Sequence, residues 1–373
     1  MSHGVPRVSG TATTSGKSEQ ARAKERQQIE QYKQLEGDVR ARISAHDYSN
    51  ASLQLTSKLL SQNPEYYTIW NDRRRILQHV FEQELGEGGK STTAPQQDID
   101  AAHKAGLSLP QREISLLIQE DLHFLLPLLK QFPKCYWIWN HRSWLLRYAT
   151  SHLPPHATLE LWQAELGLVS KMLALDSRNF HGWSYRREVI AEMEKLSGSG
   201  MAEKEFEYTT RMIGTNLSNF SAWHYRSQLI STLLQNRRAD SEQRRSTFDA
   251  ELELITRALY TDPYDQSLWF YHEYLMATLD SSNAGAQIIL HPCTDADRTA
   301  YLSQELDSIR EMLDGAEDCK YIYHALLQYA NRLIGLGGHG APTAEMKEWL
   351  SELRKMDPLR ARRWEDLETK LKL

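Results

Sequence analysis

The sequence has few cysteines and no long apolar run. Its 373 residues include only three cysteines, Cys135, Cys293 and Cys319, which lie far apart and form no Cys-x-x-Cys pair. That spacing argues against a disulfide framework and against a structural zinc site. No apolar segment approaches the roughly 20 residues that span a bilayer, and residues 1–17 contain no signal-peptide core. We therefore expect a cytoplasmic protein without integral membrane association.

Excess positive charge and familiar catalytic motifs are also missing. The chain has 44 Lys and Arg against 49 Asp and Glu, a formal net charge of −5. This balance gives no overall basic field, so we expect no nucleic-acid partner and only local phosphate chemistry. The sequence contains no zinc-protease helix motif, nucleophile elbow, glycine-rich dinucleotide loop or metal-spaced His and Cys cluster. If the chain belongs to an enzyme, essential groups lie elsewhere.

The chain is rich in tryptophan. Ten Trp and 17 Tyr stand against 8 Phe, and the tryptophans recur in the pattern aromatic-x-x-Trp-x-x-Arg. Its copies are Tyr67/Trp70/Arg73, Tyr136/Trp139/Arg142, Phe180/Trp183/Arg186 and Phe220/Trp223/Arg226, with a degenerate fifth at Gln266/Trp269/His272. Spacings of three place all three residues on one helical face, which we expect to be buried. Each Arg is then expected to pair with carbonyls or carboxylates between stacked hairpins.

A second amphipathic segment and a turn precede most motif helices. Turn signals stand at Asn63-Pro64, Phe132-Pro133, Asp176-Ser177 and Asp262-Pro263. From the second copy onward the tryptophans are 44, 40 and 46 residues apart, which fits stacked helical hairpins. The sequence therefore predicts an all-α solenoid of helical hairpins over residues 18–373, after a flexible segment over residues 1–17.

Further segments complete this prediction. The 69-residue step between the first two tryptophans holds an insertion, about residues 86–110, whose composition predicts an exposed loop. Helical spacing also predicts a long opening helix over 18–45, a sixth hairpin from Arg298–Leu313 and Asp318–Leu333, and capping helices over 344–373 interrupted at Pro358.

Candidate functional residues stand where the copies differ, at the turn and at the start of the motif helix. Lys134 precedes a helix N-terminus, which already carries partial positive charge, so a bound phosphate or diphosphate would resolve an electrostatic conflict. His181 and the hydroxyl of Tyr136 belong to the same edge. On the residues alone, Lys134 also fits an exposed loop lysine, Tyr136 a packing aromatic, and His181 a surface residue.

The motif copies resemble the repeats of protein prenyltransferase α subunits. Segments such as Asn63-Pro-Glu-Tyr-Tyr-Thr-Ile-Trp-Asn-Asp-Arg-Arg and Pro133-Lys-Cys-Tyr-Trp-Ile-Trp-Asn-His-Arg carry the resemblance, which runs from about residue 20 to the end. The His3-Gly4 opening, the Trp-Asn of the first copy and Asp357-Pro-Leu-Arg are most similar to the Rab geranylgeranyltransferase, or type II, branch. The chain looks like a fungal-type form without immunoglobulin-like or leucine-rich domains.

This resemblance implies a fold, partners and roles for residues. It implies a right-handed α-α superhelix, a crescent wrapped around a β subunit that carries zinc and the isoprenoid pocket. The heterodimer would transfer geranylgeranyl from geranylgeranyl diphosphate to C-terminal cysteines of Rab GTPases presented by an escort protein. Lys134 matches a lysine that contacts the diphosphate, Tyr136 its neighbouring tyrosine, and His181 a histidine at the subunit junction. His3 matches an N-terminal histidine that can reach the zinc of the β subunit, although the extra residue Ser2 places it one position later in the chain than the family histidine.

Two other functions are compatible with parts of the pattern. The first is the α subunit shared by farnesyltransferase and geranylgeranyltransferase type I, which differs in its β subunit and in needing no escort protein. The second is a noncatalytic helical-repeat scaffold of the tetratricopeptide type. That class predicts a spacing of about 34 residues and a different Trp motif.

Overall fold

The structure is a computed structural model that describes residues 19–86, 95–280 and 289–373. Within these ranges all regular structure is helical, and no strand occurs. The chain divides between residues 199 and 200 into two compact units, which we describe separately. The all-α fold class is confirmed, whereas the assignment of residues 18–373 to one repeat domain stays a prediction.

The first unit contains a long opening helix and three hairpins. The opening helix, predicted over 18–45, is α1 (Glu19–Ser44). It is followed by α2 (Asn50–Gln62), α3 (Tyr67–Leu85), α4 (Gln96–Lys104), α5 (Leu109–Gln131), α6 (Tyr136–His152), α7 (Pro155–Leu175) and α8 (Phe180–Ser197). α2 packs against α3, α5 against α6, and α7 against α8. Each hairpin therefore joins a first helix to a motif helix.

The second unit has three more hairpins and a helical end. Its helices are α9 (Ala202–Thr215), α10 (Phe220–Asn236), α11 (Ser241–Thr261), α12 (Gln266–Ala277), α13 (Asp295–Glu311), α14 (Lys320–Gly335), α15 (Thr343–Met356) and α16 (Ala361–Leu371), with a 3₁₀ helix at Pro358–Arg360. α13 and α14 confirm the predicted sixth hairpin. The interruption at Pro358 is confirmed as well, because α15 ends at Met356.

The insertion between the first two motif copies is not a loop throughout. Residues 96–104 form α4, and α5 begins at Leu109, where Ser108 and Gln111 form a capping box. The predicted exposed loop over 86–110 is therefore wrong for these parts, while residues 87–94 lie outside the described residues. Ala102 of α4 is buried and α4 packs against α5, so a small apolar face stabilises a helix that the polar composition hid.

Every motif helix begins at the same repeat position, the aromatic residue or its replacement Gln266. In four of the turns the side-chain oxygen at the end of the first helix accepts a hydrogen bond from the backbone N–H two residues later. The acceptors are Asn63, Asp176, Asn216 and Asp262. Such a bond closes the turn locally, which confirms the turns predicted at Asn63, Asp176 and Asp262.

The motif tryptophans are buried, and their indoles are all bonded in the same way. In the five copies the indole Nε1–H donates to the backbone carbonyl six residues earlier, at 2.7–2.9 Å; the acceptors are Pro64, Pro133, Ser177, Leu217 and Pro263. A phenylalanine is smaller and has no N–H, so it would leave part of the space empty and remove this donor from the carbonyl, which explains the demand for Trp. In the last hairpin the hydroxyl of Tyr323 makes the equivalent bond to Glu317 O at 2.9 Å.

The aromatic residue of the motif does not share the buried face. Tyr67, Tyr136, Phe180 and Phe220 are 52%, 51%, 64% and 47% exposed, so the prediction that they form part of the buried stripe is wrong. Each is the first residue of its helix and lies about a third of a turn away from the buried Arg. These rings therefore form part of the exposed edge at which the motif helices start.

The turn carbonyls also join successive hairpins. Pro133 O, which already accepts the indole of its own copy, accepts Asn179 Nδ2 at 2.9 Å from the next turn. In the preceding step Pro64 O accepts the Sγ–H of Cys135 at 3.4 Å. Because a carbonyl oxygen has two lone pairs, it can satisfy both donors, and these two bonds tie the first three turns together.

The motif arginines are buried, and Arg73, Arg142 and Arg226 are bonded to the hairpin that follows their own. Arg142 of α6 pairs with Glu165 of α7, with Nε 2.9 Å from Oε2, and its Nη1 donates to Leu122 O of α5 at 2.8 Å. The hydroxyl of Tyr185 on α8 donates to the same carboxylate at 2.5 Å. Equivalent pairs are Arg73 with Asp121, Arg226 with Glu251 and His272 with Glu305. The prediction that these side chains bridge stacked hairpins is confirmed.

Electrostatics at the Arg142 pair follow from its burial. Burial acts against the guanidinium charge, but Glu165 outweighs burial and raises the pKa of Arg142. Burial, reinforced by the neighbouring carboxylate, raises the pKa of Tyr185 well above its usual value. The arginine is thus charged and the tyrosine protonated, which is the state in which both donate to Glu165.

Candidate functional site

The three predicted site residues lie near one another at the turns of two successive hairpins. Lys134 is in the turn between α5 and α6, Tyr136 is the first residue of α6, and His181 is the second residue of α8. The ring centroids of Tyr136 and His181 are 6.2 Å apart. The structure therefore brings together side chains from two motif copies, as the comparison of turn positions predicted.

Lys134 is half-buried and has a carboxylate neighbour. Its Nζ lies 3.7 Å from Oδ2 of Asp176, the residue that ends α7. This distance is longer than a hydrogen bond, so the carboxylate offsets the charge of Lys134 only loosely. The electrostatic conflict that suggested a bound anion is partly relieved within the chain, and the ammonium keeps donors for a further acceptor.

A row of aromatic rings follows the edge on which these turns lie. Tyr67 packs on Trp137 at 5.4 Å between centroids, and Trp137 on Tyr136 at 5.3 Å. Tyr136 then neighbours His181, which contacts Phe180 at 3.9 Å. The row joins the starts of α3, α6 and α8. It gives the turn edge of the first unit an apolar surface with polar tips.

A cavity of about 480 Å³ opens beside this row, between α6 and α8 and against α3. Its polar lining includes Arg74, Tyr136, Asn140, Arg147, His181 and Glu188. Arg147 is paired with Glu188 at 2.7 Å. Tyr136 and His181 thus belong to one cavity wall, whereas Lys134 is not part of the lining.

A chain of hydrogen bonds leads from the interior to the hydroxyl of Tyr136. Arg74 Nη2 donates to Asn140 Oδ1 at 2.5 Å, and Asn140 Nδ2 donates to the Tyr136 oxygen at 3.3 Å. On its other side Arg74 Nε donates to His141 Nδ1 at 3.3 Å. His141 Nε2 in turn lies 2.7 Å from Asp121 Oδ2. We call these five residues the Tyr136 relay.

The inner end of the relay is a neutral histidine beside a charged carboxylate. Burial lowers the pKa of His141 to about 4, so the imidazole is neutral near pH 7. Burial acts to raise the pKa of Asp121, but the charge of Arg73 and the bond from His141 outweigh it and lower that pKa. Burial lowers the pKa of Arg74, which nevertheless remains a cation at neutral pH.

Sequence reasoning missed Arg74 and Asn140. Their signal was in the sequence, as the second arginine of Trp-Asn-Asp-Arg-Arg in the first copy and the asparagine after Trp139 in the second. Their separation of 66 residues hid the contact. His3 lies outside the described residues, so its role toward zinc stays a prediction.

The described residues contain no group of three or more His, Cys, Asp and Glu side chains suited to hold a metal ion. Among the helices of the described ranges, none has both the length and the apolar composition needed to cross a bilayer.

Comparison with known proteins identifies the family. The model of the protein prenyltransferase alpha subunit repeat matches residues 49–80, 118–149, 162–193, 202–233 and 248–279. Each match contains one motif tryptophan, including the degenerate copy at Trp269. Proteins named geranylgeranyl transferase type-2 subunit alpha are similar over nearly the whole chain: that of Schizosaccharomyces pombe is 34% identical, covering 93% of both chains. This chain belongs to the family of type-2 geranylgeranyl transferase α subunits.

Other members of the type-2 family agree with this assignment. The Dictyostelium discoideum protein is 33% identical, covering 99% of this chain and 100% of its own, and the Candida albicans protein is 32% identical, covering 98% and 97%. Among solved structures, a chain of Candida albicans protein geranylgeranyltransferase-I complexed with GGPP matches with a TM-score of 0.58 at 20% identity, covering 92% of this chain and 91% of that one. At that identity the likeness supports the fold alone.

Proposed function

We propose that this chain is the α subunit of a heterodimeric type II geranylgeranyltransferase that modifies Rab GTPases. The observation that carries this proposal is the similarity, over nearly full length, to proteins named as type-2 α subunits. The reaction would move geranylgeranyl from geranylgeranyl diphosphate to C-terminal cysteines of Rab GTPases presented by an escort protein. As an α subunit the chain needs a β subunit, and we propose that the heterodimer works in the cytoplasm.

We assign the zinc of the reaction to the β subunit, as the resemblance to prenyltransferase α subunits implies. Bound zinc would lower the pKa of the acceptor thiol. The contribution of this chain to the reaction would be electrostatic. As the bond to the isoprenoid breaks, negative charge grows on the departing diphosphate, and donors already in place stabilise that charge without reorganising.

Lys134, Tyr136 and His181 are the residues proposed for this role. Lys134 offers an ammonium that is held only loosely by Asp176, at 3.7 Å. Tyr136 and His181 stand side by side in the cavity wall and can donate hydrogen bonds there. Since the three groups come from two adjoining turns, one diphosphate at this edge can be contacted from both hairpins.

The test of this role is Lys134→Ala in the reconstituted heterodimer. Removing the ammonium should slow single-turnover transfer about 100- to 1000-fold, the range for losing one preorganised donor to developing charge. Affinity for the β subunit should change little, because Lys134 is half-buried and makes one loose contact. Lys171→Ala removes an exposed lysine of α7 and serves as the control for charge. An unchanged rate with Lys134→Ala would remove Lys134 from the mechanism.

The heterodimer itself is tested by choice of partner. Co-expression with candidate β subunits, followed by transfer assays with and without escort protein, separates the possible functions. Transfer to Rab that requires the escort protein supports type II. Transfer to short C-terminal peptides without an escort would support the α subunit shared by farnesyltransferase and type I, and inactivity with every β subunit would support a scaffold.

A further inference from the structure

The donors and acceptors of the Tyr136 relay can be arranged in only one way. A guanidinium has only donors, so the atom of Asn140 that faces Arg74 Nη2 at 2.5 Å must be the carbonyl oxygen Oδ1. The amide Nδ2 then points to Tyr136, 3.3 Å away, as a donor. The phenol oxygen accepts this bond, and its own proton must point elsewhere.

The donors and acceptors at the inner half of the relay, between Arg74 and His141, follow from the same reasoning. Since Arg74 Nε can only donate, Nδ1 of His141 accepts, which leaves the imidazole proton on Nε2. That proton is donated to Asp121 Oδ2 at 2.7 Å. His141 and Asp121 are 0% and 3% exposed, so this end cannot rearrange without breaking the core.

Arg74 differs from its sequence neighbour. Arg73 is paired with Asp121, but no carboxylate of the described residues lies within 4.0 Å of the Arg74 guanidinium, whose partners are the neutral His141 and Asn140. The Arg74 side chain also lies over the Trp144 ring, 5.7 Å from its centroid. It therefore lends positive charge to the cavity wall while acting as a rigid connection between two motif helices.

We propose that Asn140 and Arg74 are positioning residues that hold the Tyr136 hydroxyl so that its proton points into the cavity, toward an anionic group. This inference rests on the proposed function, in which that group is the isoprenoid diphosphate. Neither residue has to touch the diphosphate. Their effect passes through the direction of one hydrogen bond at Tyr136.

A double-mutant cycle in the heterodimer with its β subunit tests the coupling. Asn140→Leu removes the donor to Tyr136 at similar volume, and Tyr136→Phe removes the hydroxyl itself. We expect each single variant to lower the single-turnover rate about five- to tenfold, the loss expected for one hydrogen bond of this kind. In the Tyr136→Phe background Asn140→Leu should lower the single-turnover rate less than about twofold, because the hydroxyl that Asn140 orients is already absent.

Two further variants sharpen this test. Asn71→Leu changes the same residue at the same position of the preceding copy, where it is exposed, and should leave the rate unchanged. Arg74→Lys keeps the charge but cannot bond to His141 and Asn140 together. It should lower the rate in the presence of Tyr136 and have little effect in the Tyr136→Phe background.

The outcomes separate this inference from the proposed function. If Asn140→Leu lowers the single-turnover rate equally in the wild-type and Tyr136→Phe backgrounds, its role is merely structural and the positioning proposal is overturned. An unchanged rate with either single variant overturns the proposal as well. In those cases an active wild-type heterodimer still supports the proposed function. A wild-type heterodimer that transfers nothing to Rab in the presence of escort protein overturns both.

Discussion

Replacing Glu165 with glutamine should strongly destabilise the first unit. The side chains of Arg142 and Glu165 are 2% and 5% exposed, so Glu165→Gln leaves a buried guanidinium without its counter-charge. Removing one partner of a buried pair costs about 3–5 kcal/mol, because desolvation of the remaining charge is no longer offset. For a unit of roughly 200 residues each kcal/mol lowers the melting temperature by about 2–4 °C. The expected shift is on the order of 10 °C.

Differential scanning calorimetry of the purified chain measures this shift. Glu203→Gln is the matched control, because its partner Arg237 forms a bidentate pair at the surface, where the side chains are 53% and 49% exposed. It should cost about 0–1 kcal/mol. Arg142→Met, Glu165→Leu and Tyr185→Phe combined should recover most of the stability, since no buried charge then remains. A loss below about 1 kcal/mol for Glu165→Gln would refute this reasoning.

Two further predictions concern protonation and thiol chemistry. Burial lowers the pKa of His141 to about 4, so as the pH drops from about 6.5 to 4 the imidazole takes up a proton in the unfolded chain but not in the folded one, and the free energy of unfolding should fall. Unfolding of the His141→Gln variant should depend less on pH in that window. A pH profile that the substitution leaves unchanged would contradict this pKa assignment. Burial raises the pKa of all three thiols, to about 11 for Cys135, but Cys135 and Cys319 are buried whereas Cys293 is half-buried. Because access then decides the order, iodoacetamide should modify Cys293 first, as mass spectrometry of partly labelled chain would show. Early labelling of Cys135 would count against this order.

The repeat unit could be predicted from the sequence because its causes are local. Asn63-Pro64 and Asp262-Pro263 end one helix and start another through bonds within two residues. The burial of Trp70 follows from its place on a helical face. The exposure of Tyr67 was not predicted, because helical spacing alone does not show that a residue stands at the end of its helix.

The contacts between hairpins could not be predicted from local sequence patterns. That the motif arginines bond across hairpins was predicted, but their partners were not: Asp121 lies 48 residues after Arg73. The same limit hid Arg74 and Asn140, although both stand beside motif residues. Their roles depend on how one motif helix stacks on the next, a geometry that no single helical pattern contains.

The two bonds accepted by Pro133 O have an evolutionary consequence. They involve the backbone carbonyl and the side chains of Trp139 and Asn179, so the spacing of adjoining turns is maintained whatever occupies the variable turn positions. Residues such as Lys134 can be exchanged without moving the frame on which they stand. New ligand chemistry can therefore arise in this edge by single substitutions, with little cost in stability.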